Sequence, residues 1–171
     1  MFTPTLRRLL AICCFVFMFS GCEAEQPSPS DLFFGLKSYS HIEEIKSVVV
    51  KNDGEWHVVE NTESPASDKR PPYQYVRVTT NVFEDSNFNG VSTLVFYNDQ
   101  LMAVWFYPDD WDGYEKHLSL DRGINIDKDS WERVSNNIRN WIGVDYTGKK
   151  YIAWEDVGLS KAMKEWLQKH S

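Results

Sequence analysis

Apolar and polar residues alternate along several stretches of the chain, and this period of two predicts β-strands. In the clearest case, Val76 and Val78 alternate with Tyr75 and Arg77. Six strands are predicted in all, over residues 55–60, 73–82, 91–97, 100–107, 136–144 and 150–154. Asn98-Asp99 separates the third and fourth of these and has the composition of a tight hairpin turn.

Three other stretches have helical spacing. Ile45 and Val49 share one side of a helix predicted over 41–50, where Ser40 and Glu43 have the S-x-x-E form of a capping box. A short acidic helix should open at 108–110, with three apolar residues at helical spacing: Trp111, Tyr114 and Leu118. Ser160 should cap a C-terminal helix with a shared apolar face: Met163, Trp166 and Leu167.

Together these elements predict an α+β fold. We expect an antiparallel sheet of about five or six strands with two to three helices packed mainly on one face. A single globular domain over 32–171 is long enough to bury its own core.

The N-terminal segment has the layout of a secretory signal peptide. Arg7 and Arg8 precede an apolar run that ends at Ser20 and Gly21. Residues 9–21 would span only about 20 Å as a helix, whereas the hydrocarbon core of a bilayer is roughly 30 Å thick. The sequence therefore predicts a leader over 1–21 and not a membrane-spanning helix.

Phe19-Ser20-Gly21-Cys22 resembles the lipobox of bacterial lipoproteins, although Phe19 stands where that family most often has leucine. The resemblance implies acyl chains on Cys22, removal of 1–21 and attachment to a membrane through the lipid, with an ordinary secretory signal as the alternative. Glu23 in place of aspartate implies the periplasmic side of the outer membrane in a Gram-negative host. Inner-membrane anchoring and secretion to the periplasm stay open.

The composition after the leader limits the partners. Residues 22–31, with Pro27 and Pro29, are predicted to form a flexible tether, and Cys13 and Cys14 would leave with the leader. Without residues 1–21, 16 basic residues stand against 25 acidic ones, a formal net charge of −9. Such a surface repels nucleic acid, so we expect no nucleic-acid partner.

A family resemblance covers residues 33–107. The stretches FFGLKSYSHIEEIKSVVV and TLVFYNDQLMAVWFY are similar to small outer-membrane lipoproteins of the SmpA/OmlA type and to β-lactamase-inhibitor-protein-like domains. The matching positions are Gly35, Ser40, Leu94, Phe96, Asn98, Asp99 and Leu101. The chain from His117 onward has no counterpart in those families. The resemblance implies a protein-binding or envelope-assembly scaffold and carries no catalytic residues.

One stretch has the start of a calcium-binding loop. Residues 85–90 reproduce the first six positions of an EF-hand, but the twelfth position is Phe96 and not the required glutamate. A turn in which Asn89-Gly90 supplies positive φ accounts for the same residues, so we expect no metal site there. No pattern in the chain indicates a cofactor.

A second cluster combines acidic and aromatic residues. Acids at Asp109, Asp110, Asp112 and Glu115 fit helix capping, with cation binding or hydrolysis as alternatives. The candidate binding surface consists of Trp105, Tyr107, Asp109, Asp110, Trp111 and Tyr114. No catalytic motif is present, so an enzyme is the less favoured interpretation. The favoured function is a lipid-anchored module that binds another envelope protein, and a carbohydrate or peptidoglycan binder is the alternative.

Overall fold

The structure is a computed structural model that describes residues 28–121 and 132–171. Its strands are β1 (Asp31–Phe33), β2 (Leu36–Lys37), β3 (His57–Glu63), β4 (Gln74–Thr80), β5 (Gly90–Tyr97), β6 (Gln100–Pro108), β7 (Glu132–Ser135), β8 (Ile138–Val144) and β9 (Lys150–Asp156). Its helices are α1 (Ile42–Lys51), α2 (Trp111–Asp121) and α3 (Val157–His170).

Within the described residues, seven strands form one antiparallel sheet in the order β3-β4-β5-β6-β9-β8-β7, and β1 pairs with β2 separately. The predicted α+β class and antiparallel sheet are confirmed. The sheet has seven strands and not the predicted five or six. The additional strand is β7, which a tight turn at Asn136-Asn137 separates from β8. Asn136 and Asn137 have φ of 50° and 64°, and they join the short strand β7 to β8.

Cross-strand register separates the two faces of the sheet. Val78, Leu94, Val104 and Trp154 lie opposite one another across four strands and belong to the main core. We call this side the first face. The β1–β2 hairpin, α1 and α2 pack on it, and Phe33 stacks on Trp154 with ring centroids 4.4 Å apart.

The second face carries the residues that alternate with those of the first. α3 packs on part of it, where Leu159 joins a smaller cluster with Val95, Tyr97 and Ala103. Two of the three helices therefore lie on one face, as predicted, and the C-terminal helix lies on the other.

The helix starts differ from the predicted caps. Ser40 does not cap α1, because it lies before the helix start: Leu101 N donates to the Ser40 carbonyl oxygen, and Tyr39, in a turn with φ of 66°, donates from N to the Leu101 carbonyl oxygen. The helix begins one residue later than predicted. The Asp99 carboxylate, from the β5–β6 turn, accepts from Ile42 N at 3.1 Å, and the Glu44 carboxylate accepts from His41 N at 3.2 Å. A capping box therefore exists one residue beyond the predicted one, at His41 and Glu44, and a side chain distant in sequence adds to it.

Ser160 likewise does not cap α3. It lies inside the helix and is buried, and Asp156 is the N-cap, with its carboxylate accepting from Leu159 N at 3.0 Å. β9 runs directly into α3 with no loop between them. The last carboxylate of the strand is therefore already in place to cap the helix.

The turn in 85–90 is centred earlier than predicted. Ser86 and Asn87, not Asn89-Gly90, have positive φ, at 53° and 71°. Gly90 is the first residue of β5, and a Cβ there would lie 2.3 Å from the Tyr107 carbonyl oxygen. Close strand approach, not turn geometry, requires this glycine.

The N-terminal end of the described chain is attached to the fold. Ser30 N donates to Ser38 Oγ at 2.9 Å, and Asp31, which the prediction placed in the tether, pairs with Lys37. No helix within 28–121 and 132–171 is long and apolar enough to cross a bilayer. The predicted leader and Cys22 lie outside the described residues.

Candidate binding face

Large side chains cover the second face at the edge of α3 and beyond it, and two of them, Tyr75 and Trp105, also pack against the cluster that contains Leu159. Trp105 lies opposite Thr93 on one side and Ala153 on the other, and Ala153 lies opposite Trp141. We call this surface the open face. It is defined by six half-buried residues on four strands: Tyr75, Arg77, Trp105, Tyr107, Trp141 and Tyr151.

The aromatic rings of the open face contact one another. The rings of Trp105 and Tyr151 stack, with centroids 5.4 Å apart and planes at 24°, and Tyr107 lies 5.1 Å from Tyr151. The Arg77 guanidinium lies 5.9 Å from the centroid of Trp105, and Lys149 Nζ lies 5.7 Å from that of Tyr107. These cations add attraction to the rings and hold them in place.

A glycine makes room for the central tyrosine. Gly143 lies opposite Tyr151, and a Cβ at Gly143 would come within 2.5 Å of the Tyr151 ring tip and hydroxyl. The ring therefore leans over bare backbone. Any larger residue at position 143 would displace it.

Ion pairs orient Arg77, which belongs to the open face, and Arg139, which lies beside it on β8. Arg139 Nη2 donates to the Glu155 carboxylate at 2.6 Å, and the same guanidinium lies 4.7 Å from the Trp141 centroid. Arg77 Nε lies 2.8 Å from the Glu60 carboxylate. Its N–H does not point at the oxygen, so this contact is an ion pair without an aligned hydrogen bond.

Two phenols of the open face, those of Tyr75 and Tyr107, are partly buried. Burial raises the pKa of Tyr75 and of Tyr107 to about 12, so both phenols stay protonated at physiological pH. The indole N–H of Trp105 is buried and has no acceptor among the described residues.

The turn between β8 and β9 forms the rim of the open face. Asp145 is close enough to contribute to the raised pKa of Tyr107, and Lys149 lies over that ring. Tyr146, in the same turn, is completely exposed. A fully exposed tyrosine beside a half-buried aromatic cluster extends the surface on which a partner could rest.

The structure does not bring the predicted binding residues together on one surface. Trp105 and Tyr107 lie on the open face, whereas Trp111 packs against the core of the first face and donates from Nε1 to Glu115 at 2.8 Å. Tyr114 is fully buried, and its hydroxyl donates to the Asp85 carboxylate. The prediction that Tyr114 belongs to a binding surface is therefore wrong, because helical spacing places its side chain on the inward side of α2.

Two of the four acids of the predicted cluster have structural roles. Asp110 caps α2 by accepting from Gly113 N at 3.0 Å, and Glu115 accepts from the Trp111 indole. Asp109 and Asp112 are exposed. Within 28–121 and 132–171, no group of three or more histidine, cysteine, aspartate or glutamate residues could hold a metal ion.

Sequence reasoning missed four residues of the open face: Tyr75, Arg77, Trp141 and Tyr151. The alternation of Tyr75 and Arg77 with Val76 and Val78 was the available signal, because it places them on the side opposite the core. Which part of that side remains uncovered depends on where α3 packs.

No protein-family model, curated protein or solved structure matches this chain. The resemblance to small outer-membrane lipoproteins stays a prediction.

Proposed function

We propose that this protein is a lipid-anchored, periplasm-facing module that binds another envelope protein through the open face. The observation that supports the proposal is a sheet surface on which Trp, Tyr and Arg side chains are already fixed by stacking and ion pairs. Protein interfaces are enriched in these three residue types, and they dominate binding energy where they are held in place. Fixed side chains also lose little entropy on binding.

A protein partner fits the open face better than a sugar does. A sugar platform needs a free aromatic face. Trp105, on β6, has the Tyr151 ring of β9 stacked on it from one side of the strand. The Arg77 guanidinium of β4 approaches the same ring from the other side of β6. Mainly ring edges and guanidinium groups are therefore available. These groups suit carbonyl oxygens and apolar side chains of a polypeptide.

The position of the tether supports the same proposal. Ser30 Oγ lies 3.5 Å from the Asn136 carbonyl oxygen, next to the start of β8. Tyr107 and Tyr151 lie toward the other end of the sheet, roughly 15–20 Å away at 3.3 Å per strand residue. A chain anchored through Cys22 would carry Tyr107 and Tyr151 on the side away from its point of attachment, with Arg77 nearer to it, level with Arg139.

Co-purification from native membranes tests the protein–protein interaction. We expect the wild type, solubilised in detergent, to recover one stoichiometric partner, and Tyr107→Ser to recover less than a tenth of it. Val50→Ser changes an exposed residue of α1 and is the control, expected to recover the wild-type amount. Recovery of the protein alone, or equal recovery by all three, would reject the proposed interaction.

Mass spectrometry of the exported protein tests the anchor separately. The proposal predicts an N-terminal peptide that begins at Cys22 and carries diacylglycerol. An intact leader or an unmodified thiol would reject the anchor, and the open face would remain testable by co-purification.

A further inference from the structure

A second surface lies on the first face, between α1 and the turn of the β1–β2 hairpin. It is a groove of about 790 Å³. Its floor consists of Leu36, Ile45 and Phe83, each at most 5% exposed, and its walls include Phe34 and Val48, which are 63% and 42% exposed. The groove follows α1 from Glu44 to Asn52, just beyond the helix end, which is roughly 12 Å at 1.5 Å per residue. It therefore matches a short peptide segment in length.

Phe34 occupies an unfavourable backbone position. It is the first residue of the two-residue β1–β2 turn and has φ of 50°, followed by Gly35 at 76°. Both central residues of such a turn favour Asn, Asp or Gly, and a bulky residue with positive φ is an outlier. A ring that is 63% exposed gains little burial in compensation. The stability of the fold therefore does not explain why position 34 is phenylalanine. Residues with strained backbone conformations of this kind cluster at binding sites.

The charges around the groove define the occupant. Three exposed acids line it, Glu44, Asp53 and Glu84, against one base, Lys37. An anionic lipid headgroup would be repelled by this rim, whereas lysine or arginine would be attracted.

We infer that the groove binds an amphipathic segment of a partner protein, with apolar residues on one side and flanking lysine or arginine. The apolar side covers Phe34, Val48 and the floor, and the basic residues meet the three acids. The groove and the open face lie on opposite faces of the sheet, so this interaction does not depend on the proposed function. A protein with two such surfaces could bridge two partners.

The probe is a fluorescein-labelled 14-residue peptide of leucine and lysine with helical amphipathic spacing, and its control has glutamate in place of lysine. Binding is measured by fluorescence anisotropy on the exported chain carrying Cys22→Ser, at 150 mM salt. We expect the lysine peptide to bind at least tenfold more tightly than the glutamate peptide.

Three variants test the location. Phe34→Asn removes the ring and suits the turn, so we expect at least tenfold weaker binding with an equal or higher melting temperature. Asp53→Asn combined with Glu84→Gln removes two charges, and asparagine tolerates the φ of 55° at position 53, so threefold to tenfold weaker binding is expected. Tyr146→Asn removes an exposed aromatic ring outside the groove and should bind as the wild type does.

Four results would overturn the inference. They are no binding of the lysine peptide, equal binding of the two peptides, wild-type affinity in Phe34→Asn, and equal weakening by Tyr146→Asn. Two further measurements detect other occupants. Sedimentation showing a dimer that Phe34→Asn abolishes would assign the groove to a second copy, and displacement of the peptide by micromolar palmitate would assign it to an acyl chain; either would replace the inference.

Discussion

Replacing Asp156 with alanine should destabilise the fold more than any exposed acidic substitution. The Asp156 side chain is fully buried at the junction of β9 and α3. Its carboxylate accepts from Leu159 N at 3.0 Å and from Asn137 Nδ2 at 3.1 Å. Tyr39 lies beside it, and its pKa is raised by burial and by this carboxylate. One side chain therefore joins the helix start, the β7–β8 turn and the segment before α1.

The magnitude follows from these contacts. Losing an N-cap costs about 1 kcal/mol. The Asn137 amide is exposed and the Tyr39 phenol is half-buried, so each can turn to water, and losing each hydrogen bond costs about 0.5 kcal/mol. Release of a desolvated charge offsets part of the loss. We therefore expect Asp156→Ala to lower the free energy of unfolding by about 1–2 kcal/mol.

Urea unfolding followed by tryptophan fluorescence measures this loss. Asp112→Ala, an exposed acid in the first turn of α2, is the control and should stay within about 0.5 kcal/mol of the wild type. Asp156→Asn keeps an oxygen for the helix cap and should fall between the two. A free energy for Asp156→Ala within 0.5 kcal/mol of the control would refute the reasoning.

Three further predictions concern pH and glycine. The hydrogen bond to Asp99 raises the pKa of His41, so this contact stabilises the fold fully below about pH 6.5 and is lost as pH rises past the raised pKa. The difference in melting temperature between the wild type and His41→Gln should therefore decline from pH 6 to 8.5. A difference that stays constant over this range would contradict the prediction. Gly143→Ala should displace the flexible tip of Tyr151, reducing partner recovery about tenfold while costing under about 1 kcal/mol in urea unfolding; wild-type recovery would contradict it. Gly90→Ala meets a backbone oxygen and should cost at least about 2 kcal/mol; an unchanged urea midpoint would contradict it.

Local pattern was sufficient to predict most strands and the existence of the helices. Val76 and Val78 alternate with Tyr75 and Arg77 because one side of β4 meets the core and the other does not. Asn98-Asp99 has φ of 48° and 65°, as expected of the tight hairpin turn predicted there. Both features depend on neighbouring residues alone, so the sequence displays them directly.

The features that were missed depend on residues distant in sequence. Asp99 reaches the start of α1 from a turn 57 positions later, and no local motif reports such a cap. The pairing of β6 with β9 joins segments separated by α2 and the β7–β8 hairpin, and it places Trp105 beside Tyr151. Trp141 and Tyr151 could therefore not be assigned to the open face before the sheet order was known.

Tyr114 shows the converse error. Its proximity in sequence to Trp111 and Asp110 suggested one surface, yet the helix turns it into the core, where it lies edge-on to Phe106 at 5.6 Å. Helical spacing predicts which residues share a side but not whether that side is buried.

Photo-crosslinking in the native host tests the central claim, that the open face binds an envelope protein, most directly. A benzophenone amino acid replaces Tyr146, which is fully exposed at the rim of the open face, and in a parallel strain it replaces Val50 on α1. The account predicts one discrete protein adduct from position 146 that disappears when Tyr107→Ser is added, and none of the same mass from position 50. No adduct from position 146, or the same adduct from both positions, would contradict it.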